Sequence, residues 1–252
     1  MKGTNYKGQF IAKTDIGCVR STNEDQATAL INASGNVLLC VCDGMGGHNK
    51  GDYASKLAID TISAEFKKKN GFLSYVSVRR WIGTTMRKVN KVIFDEAQKD
   101  PIYKDMGTTV VMAILYGDSI FVVNAGDSRA YFVRKKGLQQ LSEDQTYVEY
   151  LYATGKISEE ERETSSQRHI LMNAVGTFPS VSFDYKFYPN NGFSILLCSD
   201  GLYNNATEVE IHSALSTNER IDQKAETLIG VAKSHGGSDN IGIAYWEAYK
   251  HD

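Results

Sequence analysis

Val37-Leu38-Leu39-Cys40-Val41-Cys42-Asp43-Gly44-Met45-Gly46-Gly47 is an apolar run that stops abruptly at Asp-Gly, and Ile195-Leu196-Leu197-Cys198-Ser199-Asp200-Gly201 repeats the design. Each reads as a buried strand with a carboxylate at its last position, where the rim of a sheet holds it rigidly. The glycine that follows lets the backbone carbonyl come close to whatever the carboxylate holds, and a cation is the natural guest. A single Asp-Gly is simply a favoured turn dipeptide, but recurrence weakens that reading. Asp239, in Gly236-Gly237-Ser238-Asp239-Asn240, comes just before the apolar run 241–246, and Asp127 lies in the turn Ala125-Gly126-Asp127-Ser128. Near the N-terminus, Arg20 stands a short reach from Glu24 and Asp25; taken alone, that group is a solvated loop with a surface ion pair of little worth. If the carboxylates converge they repel, and would take up protons unless metal ions sit between them. Oxygen ligands suit Mg2+ or Mn2+, and no His or Cys has the spacing of a zinc site.

Around these two stretches, β-type runs recur at 9–13, 27–32, 108–116, 119–124, 129–134, 182–188 and 241–246, with the two quoted runs at 36–42 and 193–198. The segment 119–134 reads as two strands joined by a tight turn at 125–128, with a second turn of the same meander at Lys135-Lys136-Gly137. Three-to-four spacing marks helices through Ala54, Leu57, Ala58 and Ile62, through Trp81, Thr85, Val89, Ile93 and Ala97, and through Ala225, Leu228, Ile229 and Ala232. Ser158 with Glu161 and Thr207 with Glu210 have the pattern of a capping box. Strands grouped with strands and helices in pairs point to an α+β fold, with two stacked, mainly antiparallel sheets inside and helices outside.

The chain has 252 residues, 42% hydrophobic and 23% charged, so disordered, collagen-like and coiled-coil readings lose support. With three prolines and no low-complexity linker, residues 1–252 read as one domain. Lys plus Arg is 28 against 30 for Asp plus Glu, a net charge of −2, which offers no basic surface for nucleic acid or an anionic membrane. No apolar stretch reaches membrane-spanning length, and the polar, Gly-rich residues 1–10 do not resemble a signal peptide. Cys18, Cys40, Cys42 and Cys198 read as reduced core residues, and the expected setting is cytoplasmic.

In order along the chain, Thr14-Asp15-Ile16-Gly17-Cys18-Val19-Arg20-Ser21-Thr22-Asn23-Glu24-Asp25, Val41-Cys42-Asp43-Gly44-Met45-Gly46-Gly47-His48, Gly107-Thr108-Thr109, Asn124-Ala125-Gly126-Asp127-Ser128-Arg129-Ala130-Tyr131, Cys198-Ser199-Asp200-Gly201-Leu202 and Gly237-Ser238-Asp239-Asn240-Ile241 resemble the motifs of the metal-dependent protein phosphatases of type 2C, in their compact bacterial form. The resemblance covers about 14–246. It implies an α-β-β-α sandwich with a two-metal centre, Mn2+ or Mg2+, in a cleft at one end of the sheets. It further implies that Asp43 bridges the two ions, that Asp200 and Asp239 complete one site, and that the Gly44 carbonyl ligates the other. Glu24 would act through a metal-bound water, Asp127 would help hold a third, weaker ion, and Arg20 would bind phosphate. Asp25 and Asn240 would support these groups from behind. The segment 147–176 resembles the family's flap, which with its roots spans about 145–176. Gln145 and Asn173 depart from the histidine and arginine common there, which bears on substrate choice more than on chemistry.

The expected activity is hydrolysis of phosphoserine and phosphothreonine on proteins by an activated water, without a covalent phosphoenzyme, opposing a Ser/Thr protein kinase. The partners are phosphorylated proteins, with no nucleic acid and no membrane, and the chain is expected to act as a monomer. His48 is a lone histidine in a Gly-rich loop, so a water on the metals is preferred as the general acid. His169, His212, His235 and His251 receive no role. A metal-dependent phosphodiesterase or nuclease would share the two-metal logic but lacks a basic, aromatic surface here. A non-catalytic phosphoprotein-binding relative would not need all the main carboxylates.

Overall fold

A computed structural model describes residues 4–46 and 50–249. In chain order the elements are β1 (Gly8–Asp15), β2 (Asp25–Ile31), β3 (Val37–Met45), α1 (Gly51–Lys67), α2 (Tyr75–Ala97), a 3-10 turn (Pro101–Tyr103), β4 (Gly107–Thr108), β5 (Val110–Tyr116), β6 (Ser119–Ala125), β7 (Arg129–Arg134) and β8 (Gly137–Gln140). There follow α3 (Tyr147–Ala153), α4 (Glu159–Thr164), β9 (Asp184–Pro189), β10 (Ser194–Cys198), α5 (Asp200–Tyr203), α6 (Glu208–Leu215), α7 (Ile221–Ser234) and β11 (Ile241–Ala248). The strands form two antiparallel sheets in the orders β2-β3-β5-β6-β9 and β1-β11-β10-β7-β8, with β4 paired to the end of β3.

Alternation along each central strand sorts its side chains between two apolar layers. Leu38, Cys40 and Cys42 face α1 and α2, while Val37, Leu39 and Val41 face the second sheet. In β10, Ile195 and Leu197 face the first sheet, and Leu196 and Cys198 lie under α6 and α7. Both faces of these strands are covered, which is why their sequences are continuously apolar rather than alternating. The α+β sandwich, with helices outside two sheets, is therefore the architecture expected from the sequence. Both capping boxes are present: the Ser158 and Thr207 hydroxyls accept the N–H groups of Glu161 and Glu210, whose carboxylates accept the N–H groups of Ser158 and Thr207.

Several expectations need correction. The segment 119–134 is not a hairpin, because β6 belongs to one sheet and β7 to the other, and the turn at Gly126-Asp127 carries the chain between them. The hairpin is β5–β6, closed at Gly117-Asp118, where Gly117 takes φ +56°. The run 108–116 is two strands, since β4 leaves the sheet's main path to pair with Gly44 and Met45. Of the four cysteines, Cys40, Cys42 and Cys198 are buried, but Cys18 is exposed. Among the described residues, no helix is long and apolar enough to cross a membrane.

Candidate functional site

Carboxylates from distant parts of the chain meet at one end of the sandwich. The β2–β3 register sets Asp25 opposite Asp43, and the Asp43 carboxyl lies in hydrogen-bond contact with those of Asp25 and Asp200, with Asp127 and Asp239 close enough to repel it. Asp43 is not the last residue of its strand. β3 continues through Met45, and the Asp43 backbone is gripped on both sides: its N–H donates to Thr109 Oγ1 (2.9 Å), and its carbonyl accepts from Thr109 N–H (2.8 Å) and Thr108 Oγ1 (2.8 Å). Asp200 lies beyond the end of β10 and opens α5, a single helical turn, where Asn204 Nδ2 donates to its Oδ2 (3.0 Å).

The two glycines serve close approach rather than a turn. A Cβ on Gly44 would lie 2.0 Å from the Gly51 carbonyl oxygen, and one on Gly201 would lie 1.9 Å from that of Asn240. Each glycine makes room for a second backbone segment that brings its own acid. Gly51 opens α1 and donates its N–H to the Glu24 carboxylate, while Gly44 N–H donates to the Glu24 carbonyl (3.1 Å). Asn240 adjoins Asp239 and binds the N-terminal segment: its Nδ2 donates to Ile16 O and Thr22 O (2.9 Å each), and its Oδ1 accepts from Glu24 N–H (2.8 Å). Arg20 pairs neither with Glu24 nor with Asp25; its Nη2 donates to Asp239 Oδ2 (2.7 Å).

Further supporting groups received no role from the sequence. Ser199 Oγ donates to Asp25 Oδ2 (2.6 Å) and accepts from Gly242 N–H (2.8 Å). Thr109 joins Asp43 to Ser128 through a hydroxyl pair at 2.7 Å. Tyr203 OH donates to the Asp127 carbonyl (3.1 Å), and its ring lies 3.7 Å beneath the Arg129 guanidinium, which forks onto Asp144. Asp52 Oδ1, beside Glu24, is buried without a hydrogen-bond partner among the described residues. Thr109, Ser128, Arg129 and Ser199 stand within the family motifs, so a signal existed; Tyr203 and Asp52 carried none.

Burial and mutual repulsion set the electrostatics. Burial, then the charges of Asp25 and Asp200, holds Asp43 well above the usual carboxylate range. Asp25 is pushed up to about 7, mainly by burial and against the Ser199 hydrogen bond, and Asp127 also to about 7, by burial and then Asp200. Burial raises Asp200 and Glu24 as well. Arg20 is raised by its bond to Asp239. Among the described residues, no three acids already form a cage around a common point: the carboxyl groups touch one another, and Arg20 covers Asp239. The donor set nonetheless fits a hard divalent cation. It is rich in oxygen and buried, it repels itself, and it includes an Asp52 oxygen with no partner among the described residues, while the Asp43 backbone is pinned by Thr108 and Thr109.

The segment 145–176 borders this end through α3 and α4. A cleft of about 300 Å³ separates Asp127, Arg129 and Tyr203 from Glu149, Arg162 and His169, and His169 is near enough to Asp200 to favour its ionised form. A second cleft, about 980 Å³, lies at the opposite end of the sheets by Phe193, Lys224 and Glu247, and is lined by none of Asp43, Asp127, Asp200 and Asp239. Gly47 and His48 lie outside the described residues, as does His251. His212 and His235 hydrogen-bond to the carbonyls of Arg134 and Asn205 (2.7 Å each), away from the acids.

Residues 19–240 match the family described as Protein phosphatase 2C. The chain is 36% identical over 232 residues to the serine/threonine phosphatase stp of Listeria monocytogenes, covering 92% of each. Among solved structures, it superposes on the serine/threonine phosphatase of S. agalactiae with TM-score 0.90 and 30% identity, over 96% of this chain and 100% of that one. It also superposes on the catalytic domain of the phosphatase PstP in complex with two manganese ions, with TM-score 0.83 and 29% identity, over 96% and 99%.

Proposed function

The chain belongs to the Protein phosphatase 2C family and is a serine/threonine protein phosphatase, and we propose that its catalytic centre is the acid cluster at the end of the sandwich, loaded with two Mn2+ or Mg2+ ions. The observation that carries this reading is the convergence of Asp43, Asp200 and Asp239 with a single arginine among them. Such ions, when bound, lower the pKa of water and neutralise charge on the phosphoryl oxygens. Asp43, whose backbone is clamped, would hold both ions, with Asp200 and Asp239 as further ligands of one and the Gly44 carbonyl as a ligand of the other. Glu24 supports the centre through water, and Asp127 holds a weaker third position. Asp25 and Asn240 orient these ligands through their contacts with Asp43, Asp239 and Glu24.

Arg20 is half exposed and already reaches over Asp239. Its planar fork suits two phosphate oxygens, a geometry that lysine does not reproduce. The buried acids keep the reacting end polar and anchored while the flap side stays open to a phosphorylated protein segment. None of His169, His212 and His235 is assigned the leaving-group proton, which comes from water in the cleft. The whole sandwich acts as one catalytic unit and as a monomer. It opposes a Ser/Thr kinase, whose product is its substrate, and the three buried free thiols suit the reducing cytoplasm.

The decisive experiment is hydrolysis of a phosphothreonine peptide with and without Mn2+, by wild type and by Asp43→Asn. Wild type should need the metal and the variant should not respond to it. An equal metal response in both proteins would remove Asp43 from the centre.

A further inference from the structure

Gln145 and Asn173 stand at the two roots of the flap, and the structure joins them. The Gln145 N–H donates to the Gly126 carbonyl (3.0 Å), and its carbonyl accepts from Met172 N–H (2.9 Å). Its side chain does more. Oε1 accepts from Gly126 N–H (3.0 Å) and from Asn173 Nδ2 (2.6 Å), while Nε2 donates to Asp184 Oδ2 (2.7 Å) at the start of β9. Asn173 Nδ2 also donates to Ser182 O (2.7 Å). One planar amide thus closes the flap's entry against its exit, and ties both to the turn that carries Asp127.

That turn has little slack. Gly126 takes φ +109°, and a Cβ there would lie 2.6 Å from Thr109 Cγ2. Beyond Asp127, Ser128 bonds Thr109, which holds the Asp43 backbone. A continuous path of hydrogen bonds and chain therefore runs from Asn173 through Gln145, Gly126, Ser128 and Thr109 to Asp43. The path requires a side chain with two acceptor sites and a donor in one plane. A carboxylate would lose the donor and face Asp184, and a thioether would supply no donor and only a weak acceptor.

We propose that Gln145 and Asn173 are paired positioning residues that couple flap attachment to the placement of Asp127, so that loosening either root loosens the turn beside the acid cluster. Neither touches the reacting atoms. The coupling stands on the hydrogen bonds alone; its consequence for metal use rests on the reading of Asp127 as a cation-holding group.

The test is backbone amide exchange on the full chain for wild type, Gln145→Met, Asn173→Ala and the double variant, together with the Mn2+ concentration needed for half-maximal phosphopeptide hydrolysis. Each single variant should speed exchange about fivefold in both 124–128 and 171–175, with the double variant no faster than the faster single. The Mn2+ requirement should rise about tenfold while KM for the peptide stays within about twofold, the pattern of a supporting residue behind a metal ligand. If Gln145→Met does not fold, Asn173→Ala carries the same test, since it breaks only the lateral bonds. Exchange confined to the substituted residue's own segment, or additive effects in the double variant, would overturn the proposal. A Mn2+ requirement that Asp127→Asn leaves unchanged would overturn the Asp127 reading instead.

Discussion

Asp43-Gly44 and Asp200-Gly201 are the same dipeptide after the same kind of apolar run, yet they end in different local structures. Asp43 lies inside an extended strand, because β4 pairs with the two residues that follow it. Asp200 lies past its strand in a helical turn, one residue after Ser199 N–H donates to the Gly242 carbonyl (3.0 Å). Asp43 is held through its backbone by Thr108 and Thr109, and Asp200 through its side chain by Asn204. The first copy is held across the sheet and the second within one helical turn, where Asn204 N–H also donates to the Asp200 carbonyl (2.9 Å); only the glycines play the same part, each admitting a neighbouring backbone.

The sharpest way to break this contrast is to neutralise each acid. Asp43→Asn should lower Mn2+-dependent kcat by about a thousandfold or more, because one change disturbs both cation positions. Asp200→Asn should cost about a hundredfold, and raising Mn2+ should recover part of that loss and none of the first. Comparable losses with comparable recovery would erase the distinction.

Next come the glycines. Gly44→Ala and Gly201→Ala should each destabilise the fold by about 3 kcal/mol, read as a drop in the denaturation midpoint, since the new Cβ meets backbone rather than a flexible side chain. A near-neutral result for one would show that its backbone neighbour yields.

A smaller effect is expected from pH. Asp25 and Asp127 are raised from 3.8 to about 7 in the folded, metal-free chain, so the folded state binds more protons than the unfolded one between those values. Their stabilisation is complete below about pH 4 and is lost as pH rises through about 7. The melting temperature of the metal-free protein should therefore fall from pH 6 to pH 8, and Asp25→Asn should flatten that slope. The smallest effect is that of Arg20→Lys, which should raise KM for the phosphopeptide about tenfold with kcat within about threefold. A fall in kcat alone would place Arg20 in the chemical step.

Much of the layered fold was legible because a strand stretch covered on both faces must be apolar, as 37–42 of β3, all of β5 and 195–198 of β10 are. The acids were legible as recurrent interruptions of those runs. What stayed hidden depended on partners far along the chain. Nothing local in 119–134 separates a hairpin from a crossover between sheets, and Arg20 has nearer acids in sequence than Asp239, 219 positions away. Tyr203 reads as an ordinary core aromatic until Arg129 is seen above it.

By itself, the sequence determined the element types, the two-sheet architecture, the family and the acids worth naming, since these follow from side-chain period, turn chemistry and residue type, which are local properties. The tertiary structure decided which acids touch, which backbones the glycines admit, and that Gln145 and Asn173 meet across the flap's roots. Those facts depend on how strands register and on how segments from opposite ends of the chain pack, and no local pattern encodes such distances.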